Sequence, residues 1–204
     1  MSGVTGIVLC GGHSRRMGRP KAWLPFGDEF LLQRVVRIVG EAVGRVVVVA
    51  AKDQSIPPLP DFARRVDDRV IGQGPLAGLA AGLAAVEGDC ELVFLTACDT
   101  PFLTPSFIHR LVDSICDPAI QAVVPFTEHF HPLASVFRVS VRPVVEKRLA
   151  EGRLRVHELF DELPTRILKR EEFADIDLDL ESLRNINTPD DYTSALNDVI
   201  LWSA

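Results

Sequence analysis

Short apolar runs alternate along this chain with amphipathic stretches, a rhythm that predicts strands alternating with helices. Val4 to Cys10 is an apolar run stopped by Gly11-Gly12, which predicts a buried strand entering a turn. Residues 11–27, rich in Gly, Arg and Pro, predict a loop. Leu31, Leu32, Val35, Val36 and Val39 then recur on one side of a helix covering about 29–42. Arg45 to Ala51 contains the β-branched run Val46 to Val49, the pattern of a fully buried parallel strand. Pro57, Pro58 and Pro60 make 53–62 a loop, and Arg64 to Val66 predicts a short strand leading to Asp67-Asp68. Gly74-Pro75 opens an Ala- and Leu-rich helix to about Val86, and Glu91 to Ala97 is a third buried strand ending at Cys98-Asp99. Thr104 caps a helix running to about Ser114, with Pro105 at its first position.

The second half alternates less strictly. Ala119 to Pro125, Leu133 to Phe137 and Thr165 to Leu168 predict strands, and 140–150 and 154–160 predict helices. Asp190 to Ile200 predicts the last helix, capped by Thr188 with Pro189 behind it. The acidic stretch from Asp175 to Glu181 predicts an exposed, charged surface. No internal repeat, low-complexity tract or linker interrupts the order. Such alternation implies βαβ units: an α/β three-layer sandwich, a mostly parallel sheet with helices on both faces. Ligands of such sheets bind beyond the carboxyl ends of the strands, where the segments 9–21 and 98–101 fall.

Composition narrows the function classes. The 204 residues suit one domain, and 47% hydrophobic content fills a core. A net charge of -6 argues against a broad nucleic-acid surface, though not against a small anionic ligand gripped by local positive charge. Cys10, Cys90, Cys98 and Cys116 show no C-x-x-C spacing, so zinc has little support; buried reduced thiols fit a reducing compartment. The N-terminus lacks the pattern of a secretory signal, and no apolar run approaches the ~20 residues of a membrane span. The expectation is a cytoplasmic protein with neither nucleic acid nor membrane as partner.

The most informative stretch is Leu9 to Lys21. Gly11 and Gly12 let the backbone turn sharply and bring N–H groups close to a ligand. Arg15, Arg16, Arg19 and Lys21 place four positive charges within seven residues of an acidic protein, a grouping that suits a triphosphate. A solvated basic connecting loop has the same composition. Two familiar phosphate motifs fail: G-x-x-x-x-G-K-[ST] because Gly12 and Gly18 are one residue too far apart with no Lys after Gly18, and G-x-G-x-x-G because Gly11-Gly12-His13 lacks the spacing. Asp99, directly after a buried strand, stands at the carboxyl edge of the sheet, where a carboxylate suits Mg²⁺; an Asp in a turn before Pro101 is the competing explanation.

Leu9-Cys10-Gly11-Gly12 through Arg16-Met17-Gly18-Arg19-Pro20-Lys21 resembles the L-A-G-G-x-x-x-R-M-G-x-D-K pattern of the molybdenum cofactor guanylyltransferases. The resemblance continues in order through Gly74-Pro75-Leu76-Ala77-Gly78, Cys98-Asp99-Thr100-Pro101-Phe102-Leu103, His131-Pro132-Leu133 and Asn185-Ile186-Asn187-Thr188-Pro189, spanning roughly residues 5–192. Cys10 replaces the pattern's Ala, and Pro20 its Asp, so any role of that Asp is missing here. The resemblance implies a Rossmann-like α/β nucleotidyltransferase that transfers GMP from GTP to molybdopterin, the molybdenum cofactor precursor, with Mg²⁺, releasing pyrophosphate. It implies that Leu9, Cys10, Gly11 and Gly12 contact the nucleotide, that Lys21 binds its phosphates with help from Arg15 or Arg16, that Asp67 (or Asp68, one register on) sits near the nucleotide, and that Asp99 holds the metal. A nucleotide-binding half at about 1–103 and an acceptor-binding half at about 104–204 would share one domain. Transient contact with other cofactor-biosynthesis or acceptor proteins follows from the same resemblance.

Weaker candidates surround these. Asn185 and Asn187 face the acceptor or support the metal, or else shape the entry to the last helix. His131 is an acceptor contact or a loop and core residue. Arg153 and Arg155 are solvated helix-end charges or else hold an acceptor phosphate. The remaining histidines lack metal-ligand spacing, and Ser14 lacks a G-x-S-x-G context. Two rivals to guanylyl transfer stand: a related transferase using CTP or a sugar-phosphate acceptor, and a non-catalytic nucleotide-binding module.

Overall fold

The computed structural model describes residues 3–11, 17, 19–68 and 73–202. In chain order these form β1 (Val4–Leu9), the two-residue strands β2 (Pro25–Phe26) and β3 (Glu29–Phe30), α1 (Leu31–Val43), β4 (Val46–Ala51), β5 (Ala63–Asp68), α2 (Gly74–Val86), β6 (Leu92–Ala97), α3 (Pro105–Asp113), β7 (Ala122–Phe126), β8 (Ala134–Arg138), α4 (Arg142–Ala150), α5 (Leu159–Glu162), β9 (Thr165–Lys169) and α6 (Pro189–Trp202).

Seven strands build one sheet in the order β5-β4-β1-β6-β8-β7-β9. The pairings β1–β4, β1–β6, β4–β5 and β7–β9 are parallel; β8 runs antiparallel to both β6 and β7. After β1 the chain moves outward to β4 and β5, then returns to place β6 on the other side of β1. The boundary between β1 and β6 is therefore the topological switch point, where sheets of this kind take their ligands beyond the carboxyl rim. Because β8 is reversed, it starts at that same rim, and its Ala134 lies opposite Thr96 near the end of β6.

The alternation of side chains along each strand divides the core in two. Val8, Val46, Val48 and Phe94 face one layer, built by α1 and α3. Ile7, Leu9, Val47, Val49, Val93 and Leu95 face the other, built by α2, α4 and α5. Such doubly covered strands need apolar residues at successive positions, which explains the unbroken valine run of β4. A third, smaller cluster joins Met17, Leu24, Phe26, Leu31, Phe102, Ile186 and Ala195 beside the crevice. No helix among the described residues is long and apolar enough to cross a membrane.

Three local features differ from the sequence expectation. The stretch expected as a loop over 11–27 contains a 3₁₀ turn at Lys21–Trp23, and its end pairs with the following residues in a small hairpin, Pro25 with Phe30 and Phe26 with Glu29. Gly27 closes that hairpin at φ 66°, a conformation open to glycine. The strand before Asp67-Asp68 includes both aspartates. The acidic stretch is built into the fold rather than simply solvated: the Asp177 carboxylate accepts the N–H groups of Glu181 and Ser182 at 2.9 and 3.0 Å, Arg110 pairs with Asp175 at 2.6 Å, and Leu180 is buried at φ 56°. Thr104 caps α3 as expected, its hydroxyl accepting the Phe107 N–H. Arg153 also has a partner, Glu162 at 2.5 Å, in a cluster centred on the fully buried Arg148.

Helices approach β1 closely because glycines leave room. A Cβ on Gly6 would lie 2.2 Å from Val39 Cγ1 of α1, and one on Gly82 2.7 Å from Ile7 Cδ1. Val39 is β-branched and fully buried, so it has little rotamer freedom with which to yield. Gly6→Ala is expected to destabilise the protein by about 1–3 kcal/mol through overpacking. Urea unfolding checks this: the midpoint falls with an unchanged m-value, whereas an unchanged midpoint would show that α1 is free to shift.

Candidate active site

Both sides of the crevice extend the ladder of the sheet one step beyond its strands. Cys10 N–H donates to Val49 O at 2.8 Å, and Cys98 N–H to Leu9 O at 3.0 Å. Cys10 and Cys98 thus stand side by side, both buried. The hydrogen bond between their thiols, reinforced by burial, pushes the Cys98 thiol well above its ordinary value. Buried together, they form an apolar floor. Gly11 is exposed above it. Gly12, Arg15 and Arg16 lie outside the described residues.

Lys21 and Asp99 meet over this floor. Lys21 Nζ donates to Asp99 Oδ2 at 2.7 Å, with both side chains about one-sixth exposed. The same ammonium donates to Asn187 Oδ1 at 2.9 Å. Residues from near the start, the middle and the end of the chain, Lys21, Asp99 and Asn187, therefore converge. Asp99 lies in a turn, yet its carboxylate is not what shapes it. The Thr100 hydroxyl donates to Ala97 O at 2.9 Å and lies 3.0 Å from the Thr96 hydroxyl. Arg34 Nε holds Pro101 O at 2.8 Å. Phe102 packs edge-on against Phe26 at 5.9 Å, and the Arg184 guanidinium covers its ring at 4.8 Å. The competing turn explanation for Asp99 accounts for the loop and not for the direction of its carboxylate.

Asp67 stands on the same rim, two strand spacings from β1, roughly 10 Å away. It is exposed and pairs with Arg65 at 3.0 Å; Asp68 is half-buried beyond it. Leu9 is buried, and Gly78 of α2 comes so near that a Cβ there would lie 2.8 Å from Leu9 Cδ2. The G-P-L-A-G element thus seats the start of α2 against the base of the glycine loop.

Two residues without any motif brace this side. Gln54 Nε2 donates to Cys10 O at 2.6 Å while its Oε1 accepts the Ala51 N–H at 3.3 Å. Arg65 gathers the carbonyls of Ala51, Lys52 and Gln54, each at 2.8 Å. A glutamine inside a proline-rich loop carries no spacing signal, so neither was legible beforehand.

The acceptor-side candidates lie apart from one another. Asn187 reaches Lys21; Asn185 is exposed on the same segment, whose Ile186 N–H donates to Asp99 O at 2.9 Å. His131 sits one strand further along the rim, its Nε2 2.9 Å from the Thr127 hydroxyl. It lines a cleft of about 360 Å³ together with Glu128, Arg170 and Arg184. Burial, with a smaller push from His129, pulls His131 down to about 4, so its imidazole is neutral at neutral pH.

The donor set around Asp99 fits one class of metal. No group of three or more His, Cys, Asp or Glu side chains able to hold an ion occurs among the described residues. A hard cation such as Mg²⁺, which keeps several waters and uses one or two carboxylates plus phosphate oxygens, suits a single carboxylate at a ligand crevice.

Comparison with known proteins places this geometry in a lineage. The MobA-like NTP transferase domain matches residues 6–166. A probable molybdenum cofactor guanylyltransferase of Mycobacterium marinum is 35% identical over 191 residues, covering 92% of this chain and 90% of the relative. One from Carboxydothermus hydrogenoformans is 32% identical over 197 residues, covering 96% of each. The crystal structure of molybdopterin-guanine dinucleotide biosynthesis protein A from Archaeoglobus fulgidus shares the fold with a TM-score of 0.78 at 23% identity, covering 96% of this chain and 98% of that one. The chain belongs to the MobA-like NTP transferase family and is a nucleotidyltransferase.

Proposed function

We propose that the protein transfers GMP from GTP to molybdopterin, releasing pyrophosphate and forming the guanine dinucleotide cofactor. The observation that carries the site assignment is the Lys21–Asp99 pair at the β1/β6 switch point, a cationic donor and a carboxylate poised 2.7 Å apart in one crevice. The names of relatives covering nine-tenths of the chain support the acceptor and the base. Four free cysteines fit a reducing compartment, the cytoplasm in this reading.

In this reading the triphosphate lies along the carboxyl rim. Leu9, Cys10, Gly11 and Gly12 meet the nucleotide through backbone, with Asp67 on the nucleoside side. Lys21, joined by Arg15 or Arg16, takes the phosphates and neutralises charge that builds on the departing pyrophosphate. Asp99 holds Mg²⁺, which when bound supplies a Lewis-acid charge to the α-phosphate. The acceptor's phosphate is already anionic and attacks phosphorus directly, so no protein nucleophile or general base is required. Catalysis then rests on alignment and on charge placed in advance. The half over about 104–204 receives the acceptor through His131, Asn185 and Asn187. Neutral His131 offers a hydrogen bond there without adding charge, and partner proteins that deliver or collect the cofactor would meet this side.

Asp99→Ala is expected to abolish pyrophosphate release, and Lys21→Ala to lower kcat by roughly 10²-fold or more, the scale of one lost transition-state donor. Near-normal turnover by folded Asp99→Ala in saturating Mg²⁺ overturns the metal assignment. Binding of GTP, CTP, ATP and UTP measured side by side tests the base; equal affinities would remove guanine from the reading.

His131 gives a separate check. Its folded value of about 4 lies below the ordinary 6.5, so in the acid range the unfolded chain takes up a proton that the folded one refuses. This contribution to stability is complete above pH 6.5 and is lost as the pH falls towards 4. Proton NMR of the His131 ring should show a midpoint near 4; an ordinary midpoint would mean a solvated ring outside the cleft.

A further inference from the structure

The segment from Ile186 to Asp191 is bonded to both functional residues, to the backbone of Asp99 and to the side chain of Lys21. Ile186 donates its N–H to the carbonyl of Asp99, and Asn187 accepts from Lys21 through Oδ1. Ile186 is fully buried against Phe26, Leu31 and Phe102, so the segment's depth is set by packing. Packing does not set the rotation that points the Asn187 amide at Lys21, because Asn187 itself is exposed.

That rotation is held from the next helix. Asn187 N–H and Thr188 N–H both donate to one oxygen, Oδ2 of Asp191, at 2.9 and 2.8 Å. In return Asp191 N–H donates to the Thr188 hydroxyl at 3.1 Å. Reciprocity between Thr188 and Asp191 is an ordinary capping box on α6. The bond from Asn187 N–H lies outside that box and contributes nothing to satisfying the helix's own first-turn donors. What it fixes is the backbone of the residue that holds Lys21. The holder is also chemically suited to its task. A neutral amide oxygen orients an ammonium without presenting a second carboxylate that would compete with an incoming phosphate.

We propose that Asp191 is a positioning residue for nucleotidyl transfer: by gripping the N–H groups of Asn187 and Thr188 it aims the Asn187 amide at Lys21 and so sets where Lys21 stands over the crevice. The inference rests on the reading of Lys21 as the phosphate-binding lysine. It separates aim from helix capping, because Thr188 supplies the other half of the cap and touches neither Lys21 nor Asp99.

The test compares Asp191→Ala, Asp191→Asn, Thr188→Ala, Asn187→Ala and the Asp191→Ala/Asn187→Ala pair, by pyrophosphate release with Mg²⁺, molybdopterin and whichever triphosphate the wild type uses. Asp191→Ala should lower kcat by about 10- to 100-fold with an unchanged triphosphate KM, the scale of a small misplacement relayed from outside the chemistry. Asp191→Asn should keep wild-type kcat, since its amide oxygen replaces Oδ2. Thr188→Ala should lose comparable thermal stability and keep kcat. Added to Asn187→Ala, the Asp191→Ala change should cost nothing further, as expected of two residues acting in series. The idea is overturned by wild-type kcat in Asp191→Ala, by equal losses in Thr188→Ala and Asp191→Ala, or by a double variant that loses the product of the two single effects. An independent readout needs no turnover: the Lys21 ammonium protons, slowed in exchange by their two acceptors, should remain observable by NMR in Thr188→Ala and vanish in Asp191→Ala. Their persistence in Asp191→Ala overturns the positioning role whatever the substrates. A wild type that uses another triphosphate overturns only the guanine assignment.

Discussion

A single ion pair, between Lys21 and Asp99, sets the terms for the rest of the site. A largely buried ammonium or carboxylate alone at the rim would carry a desolvation cost that hydrophobic packing nearby only raises. Paired at 2.7 Å, the two charges can be held out of bulk water before any ligand arrives. They are 78 residues apart, and only the parallel pairing of β1 with β6 brings their loops together. In the proposed function, an entering triphosphate and cation would give each partner a new counter-ion, and the pair would become an anion site and a cation site side by side, without either group having to be carried in from solvent. Because both groups are already in place, little reorganisation is left for the moment of reaction.

The supports of this pair are arranged in tiers. Beneath it lie two buried cysteines, Cys10 and Cys98. Behind Asp99, Thr100 shapes the turn while Arg34 and Arg184 secure Pro101 and Phe102. On the β4–β5 side, Gln54 and Arg65 tie the loop after β4 to the start of the glycine turn. None of these residues need touch a substrate. Their shared effect is to turn three strand ends into a rigid frame, which a site relying on alignment requires.

Much of this was legible from hydrophobic period and turn residues. Valines in succession marked β4 as doubly covered, Gly74-Pro75 marked the start of α2, and Thr104-Pro105 the start of α3. Lys21 and Asp99 were visible because each follows a buried strand within a recognisable pattern. The β2–β3 hairpin escaped because two-residue strands carry no period, even though Gly27-Asp28 is a turn signal. The sheet's one reversed strand, β8, was equally invisible, since direction leaves no trace in an apolar run. Asn187 remained divided between a ligand-facing and a turn-forming role. In the structure its N–H joins the turn while its amide reaches Lys21. Gln54 and Asp191 act through bonds to backbone, and backbone acceptors and donors are the same whatever the sequence around them.

The position of α6 explains why the site requires the whole chain. Lys21 and Asp99 both come from the first half, yet Asn187, an acceptor of Lys21, and the Arg184 guanidinium over the Phe102 ring come from beyond residue 183. Ile186 and Ala195 complete a cluster with Leu24, Phe26 and Leu31, and the Tyr192 hydroxyl donates to the Pro25 carbonyl. The C-terminal segment therefore returns across the sheet and pins the 3₁₀ turn that presents Lys21. Folding of the C-terminal segment and alignment of Lys21 with Asp99 become one event. A crevice assembled this way holds its lysine in register only when the element that finishes the fold is in place.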